Sequence, residues 1–154
     1  GDTIALDGPY GLAFLRTQSP RDIVCVAGGS GLAPILSIVR GAMREPALAE
    51  RRIHVFHGAR TRRDIAGEAE MSALPGFGHR ITFQAVLSDA QADPPGAWSG
   101  PTGFVHDHVA EWAGERMASY EWYFAGPPPM AEAMQRMLIA RRVPYPQVHF
   151  DSFY

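Results

Sequence analysis

An apolar run, Ile23 to Ala27, meets Gly28, Gly29, Ser30 and Gly31 and then a second, longer apolar stretch from Leu32 to Met43. The first run suits a strand covered on both faces, and the second is long enough for a helix. Glycine between them permits positive φ and leaves no Cβ in the way of a neighbour. A helix that starts near Leu32 turns free backbone N–H groups toward this loop, and such a terminus attracts phosphate. Pro34 fits the first helical turn, where a missing N–H costs nothing. A bare strand-to-helix turn satisfies the same residues. The spacing also departs from the G-x-G-x-x-G fingerprint, since Gly29-Ser30-Gly31-Leu32-Ala33-Pro34 ends in proline. No Gly-Lys-Ser/Thr follows, so the loop is not a P-loop.

Further strands are expected at Thr3–Leu6, Ile53–Phe56, Ile81–Leu87, Glu121–Phe124 and from Val148 to Phe150 or Phe153. Helices are expected at Glu68–Leu74, Phe104–Trp112 and Ala131–Arg142. Residues 16–22 read as a linker and 88–102 as a long polar loop. Alternating strands and helices predict an α/β fold, a Rossmann-like parallel five-stranded sheet with helices on both faces. Ligands of such sheets bind beyond the carboxyl ends of the strands. Three turns fall there: "GGSG" at 28–31, "HGAR" at 57–60 and "AGPPPM" at 125–130. Their convergence is the strongest pointer to a site.

At the second turn, Arg60, Arg62 and Arg63 could pair with a ribose 2′-phosphate or form a solvated basic turn with Asp64 and Glu68. At the third, Gly126 lets backbone approach closely, and Pro127 to Pro129 suit a helix start.

Composition excludes several classes. The chain has 154 residues, 46% of them hydrophobic, which is enough for one packed domain. Its net charge of −2 gives no general attraction to nucleic acid or an anionic membrane surface. Cys25 is the one cysteine, so no internal disulfide and no multi-cysteine metal site can form, and a cytoplasmic location is expected. His106 and His108 stand two apart, which turns them away from each other on a helix and argues against a metal pair. No Ser-His-Asp arrangement or G-x-S-x-G elbow is present. The first residue is Gly1 rather than Met, and the early strand signal reads as a piece of a longer protein.

With these residues in view, the chain resembles the C-terminal pyridine-nucleotide domain of the ferredoxin–NADP reductase superfamily. The likeness is greatest to reductase components of bacterial ring-hydroxylating dioxygenases and multicomponent monooxygenases. "VAGGSGLAPILSIV" is similar to the pyrophosphate loop of that family, where proline in the last motif position is usual. "VFHGARTRRDIAGEAEM" resembles its second strand and ribose-side turn. "VLSD" with "WSGPTGFVHDHV" resembles the third strand's end and the next helix. "YFAGPPPM" resembles the nicotinamide-side motif, and "VHFDSFY" the aromatic chain end near the flavin. "GDTIALDGPYG" is similar to the last strand of the flavin barrel, so residues 1–20 are expected to be the barrel's end and a linker, and residues 21–154 the NAD(P)-binding domain.

The resemblance implies that NAD(P)H lies across the strand ends and gives a hydride to FAD. Electrons then pass through an iron–sulfur (2Fe–2S) centre to an oxygenase or ferredoxin component. Gly28, Gly29, Ser30, Gly31 and Leu32 are expected around the pyrophosphate and ribose, and Arg60 beside the adenosine. Gly126, Pro127 and Met130 are expected on the nicotinamide side, with Phe153 or Tyr154 over the flavin. NADH is favoured over NADPH, because the oxygenase reductases mostly use it. Valine at Gly31 is expected to block the pyrophosphate while the domain still folds.

Two departures stand out. Many members carry cysteine where this chain has Ala125. The flavin motif R-x-Y-S is missing, and one cysteine cannot ligate a cluster. The expected enzyme is therefore an NAD(P)H-dependent flavoprotein oxidoreductase acting as a longer protein, with its own FAD domain as a partner. Two alternatives are the reductase domain of a flavohaemoglobin or flavin reductase, and a regulatory domain that kept the fold and lost the chemistry.

Overall fold

The structure is a computed structural model and describes residues 1, 3–5, 7 and 13–152. Five strands form one parallel sheet: β1 (Asp22–Gly28), β2 (Ile53–Ala59), β3 (Ile81–Leu87), β4 (Tyr120–Gly126) and β5 (Val148–Ser152). Their spatial order is β3-β2-β1-β4-β5. The chain therefore builds outward from β1 in one direction and then crosses back to lay β4 on its other side. The crevice between β1 and β4 is the topological switch point of such a sheet.

The helices α1 (Leu32–Arg44), α2 (Glu68–Ser72), α3 (Val105–Ala113) and α4 (Pro128–Ala140) connect the strands. In α1, Ile35, Ile38, Val39 and Ala42 are buried, a three-and-four spacing that turns one stripe to the sheet. Register sorts the strand residues by face. Val24, Val26, Phe56, Val86, Trp122 and Phe124 pack with α3 and α4. Ile23, Cys25, Ala27, Val55, Tyr123 and Ala125 pack with α1 and α2. Both faces of the central strands are covered, which explains their unbroken apolar runs.

Burial pushes the Cys25 thiol well above its usual range, so it behaves as an inert apolar side chain. The strand expected at Thr3–Leu6 is not present at Thr3 to Ala5, and Leu6 lies outside the described residues. A strand needs a neighbour to bond to, and none is paired with Thr3 to Ala5 among the described residues. Phe153 and Tyr154 also lie outside the described residues. Among the described residues, no helix is long and apolar enough to cross a membrane.

Candidate nucleotide site

A cavity of about 710 Å³ opens at the carboxyl ends of the strands, within the size range of small-molecule and cofactor sites. Gly28, Gly58 and Val86 form its floor, from the ends of β1, β2 and β3. One wall is the start of α3 (Gly103 to His106), and the other is the start of α4 (Pro127, Pro129, Met130, Ala133). Arg60, Asp64 and Ser88 stand at the edge.

Short side chains make this space. A Cβ on Gly28 would lie 2.6 Å from Met130 Sδ and 3.1 Å from Pro127 Cδ. A Cβ on Gly126 would lie 2.7 Å from Met130 Cε and 3.1 Å from the backbone N of Gly28. The two glycines thus let β1 and β4 meet back to back, with Met130 seated over both. Gly29 has φ 52, with open space where a Cβ would stand, and is exposed on the loop.

The long loop after β3 is tied back by backbone. Gly103 N–H donates to the Leu87 carbonyl at 2.9 Å, and Leu87 N–H donates to the Pro101 carbonyl at 3.1 Å. This clamp presents Phe104 at the cavity, 64% exposed and stacked on His106 with ring centres 5.7 Å apart.

The turn after β2 has its own frame. Thr61 N–H and its hydroxyl both donate to Asp64 at 2.9 Å, which holds that carboxyl below its ordinary value. Buried His57, whose imidazole desolvation pushes below its ordinary value, donates from Nε2 to the Asp64 carbonyl at 3.3 Å. Arg60 pairs with Asp89 at 3.3 Å rather than with Asp64 or Glu68. Arg62 N–H donates to Asp93 at 2.8 Å.

Of the residues expected at the site, Gly28, Gly29, Arg60, Pro127 and Met130 line one cavity. Gly126 lies directly beneath it, behind Met130. Ser30 is exposed on the loop. Leu32 is turned elsewhere: its N–H is bonded to the carbonyls of Gly29 and Ser30, and its side chain packs against Gly67. Gly31 is buried, and a Cβ there would overlap the Ala125 carbonyl. Its missing side chain serves helix-to-strand packing, so the expectation that valine would block only a ligand is corrected. Ala125 itself is fully buried on the α1 face.

The family described as the oxidoreductase NAD-binding domain matches residues 25–136. The chain belongs to this family. Among curated relatives, the NAD-binding domain is 37% identical over 154 residues to the ferredoxin–NAD(P)(+) reductase CarAd of Metapseudomonas resinovorans, covering 100% of this chain and 44% of the relative. It is 40% identical over 154 residues to the reductase component of propane 2-monooxygenase from Mycolicibacterium goodii, covering 99% of this chain and 43% of the relative. Among solved structures, the ferredoxin reductase in carbazole 1,9a-dioxygenase superposes with a TM-score of 0.78 at 33% identity, over 92% of this chain and 40% of that one. The domain thus spans less than half the length of these relatives.

The residues present fit a nicotinamide dinucleotide. A glycine-floored cleft crosses the switch point, an aromatic pair stands at one wall, and an arginine stands at the edge. Sequence reasoning missed Phe104, Asp89 and the wall formed by Ala133 and Arg136. Phe104 falls within a recognised motif, but its exposure follows from the backbone clamp at Leu87, which no local pattern announces.

Proposed function

We propose that this NAD-binding domain holds NADH for an electron-transfer reductase that serves an oxygenase or ferredoxin component. The observation that carries the reading is the cleft at the β1–β4 switch point, where Gly28, Gly126 and Met130 interlock beside the Gly29–Ser30 loop. Gly29 and Ser30 would hold the pyrophosphate against exposed backbone. Phe104 and His106 would offer a flat face to the adenine. Met130 and Pro127 would bound the nicotinamide half. When bound, the nicotinamide supplies a hydride, and the domain's task is to present it and exclude water from that end.

NADH is favoured on electrostatic grounds. Asp89 already bonds Arg60, and Asp64 lines the same edge as an anion. A 2′-phosphate would meet two carboxylates there, whereas a ribose hydroxyl would meet acceptors.

FAD and a 2Fe–2S centre belong, in this reading, to parts of a longer reductase. One cysteine cannot hold the cluster. The longer reductase is the protein to test. NADH-driven reduction of a ferredoxin or of cytochrome c supports the proposal. Retained nucleotide binding with no electron transfer would favour a regulatory binding domain instead.

A further inference from the structure

Glu121 is a buried charged residue near the amino end of β4. It sits on β4 between Tyr120 and Trp122, is 3% exposed, and pairs in register with Ile23. Its carboxylate is fully engaged. Ser19 Oγ donates to Oε2 at 2.7 Å, and His149 of β5 donates from Nε2 to Oε1 at 2.6 Å. Arg21 adds a longer contact at 3.4 Å.

The direction of the chain of bonds is set by Arg16. Its Nε is a donor only, and it lies 3.4 Å from His149 Nδ1. Nδ1 therefore accepts, which leaves the proton on Nε2 to reach Glu121. The backbone N–H of Arg16 donates to the Tyr123 hydroxyl at 2.8 Å. Leu15, one residue earlier, packs beside α1 near Gly41.

Three of these partners, Arg16, Ser19 and Arg21, belong to the segment that leads into β1. A buried carboxylate and its partners give little stability that apolar side chains of the same volume would not give. What they do give is a fixed geometry. A connector that merely crossed the surface would have no need of it.

We infer that Glu121 is a positioning residue: with His149 it clasps the connector Leu15–Arg21 onto β4 and β5, so that a flavin domain entering through this connector is held at a set orientation to the nucleotide. The inference rests on the function proposed above. It extends the nucleotide domain back to Leu15, ahead of the start of β1. Hydride transfer is sensitive to displacements of about 1 Å, so the clasp acts on the hydride step and not on nucleotide affinity.

The test uses Glu121→Gln and, independently, Ser19→Ala, which alters a partly buried hydroxyl on the connector and leaves the sheet untouched. Hydrogen exchange is followed in this domain, and flavin reduction by NADH is followed by stopped flow in the longer reductase. Exchange at the amides of Arg16 and Ser19, bonded to the Tyr123 hydroxyl and the Arg16 carbonyl, is expected to speed up by about tenfold, with α1 and α4 unchanged. Flavin reduction is expected to slow on the order of tenfold or more, while ADP-ribose affinity stays the same. Unchanged exchange and unchanged flavin reduction in either folded variant would overturn the clasp. If the unaltered domain fails to bind ADP-ribose, the proposed function falls, and exchange at Arg16 and Ser19 still decides the clasp.

Discussion

Gly31 and Ala125 touch so closely that any side chain on Gly31 would overlap the Ala125 carbonyl. The first turn before α1 is thereby pressed onto the end of β4. Gly31→Ala is expected to destabilise the domain by about 3 kcal/mol, read as a lower urea midpoint with unchanged slope. A midpoint equal to that of the unaltered domain would show that the β4 end moves away freely.

Asp89 and Arg60 pair across the cavity edge. Asp89→Asn frees the guanidinium and removes one carboxylate from the path of a 2′-phosphate. NADPH affinity relative to NADH is expected to rise on the order of fivefold at low salt and to shrink as salt is added. Comparative titrations at two ionic strengths check this. Arg60→Ala is expected to weaken binding of both nucleotides, and NADPH more.

Arg142 has φ 57, the one positive φ at a non-glycine position among the described residues. It follows α4, where Val143 N–H reaches back to the Leu138 carbonyl at 3.0 Å. Glycine suits this C-terminal geometry without steric cost. Arg142→Gly is expected to stabilise the domain by about 1 kcal/mol, measured by thermal or urea unfolding, with nucleotide affinity unchanged.

The Glu121 cluster carries a pH signature. Burial acts to raise the Glu121 carboxyl, but hydrogen bonds from His149 and Ser19, with the charge of Arg21, outweigh it and hold the carboxyl below its ordinary 4.5. A folded value below the unfolded one gives stability that is complete above the unfolded value and is lost as pH falls through the folded one. The stability difference between the domain and its Glu121→Gln variant is therefore expected to narrow as pH drops below that ordinary value. A pH-independent difference would contradict the assignment.

The strands and helices of residues 23–150 are legible in the sequence because apolar runs and glycine punctuation coincide there. Ile81–Leu87 has the bounds its pattern predicts, and β2 runs three residues beyond its expected end at Phe56 because His57 and Ala59 are buried in the sheet. The three turns are legible as a site because parallel topology forces strand ends together. The role of Gly31 is not legible, since a ligand and a neighbouring backbone ask for the same absence of Cβ. Glu121 is invisible for another reason. His149 lies 28 residues after it and Ser19 lies 102 before it, and nothing local marks a buried carboxylate inside a strand.

If a dinucleotide lies across the Gly29 loop, changes at Gly29 itself must be felt in binding. Gly29 has φ 52 and nothing within 4 Å of where a Cβ would stand, and Asp and Asn tolerate that conformation. Gly29→Asp therefore adds a negative charge to the loop with little strain, and Gly29→Asn adds the same shape without the charge. Calorimetric titration of NADH into the domain and both variants is the most direct measurement. Binding by the unaltered domain is expected, with clear weakening by asparagine and a further loss of about tenfold or more by aspartate. Equal affinity in all three would place the nucleotide elsewhere and contradict the proposed site.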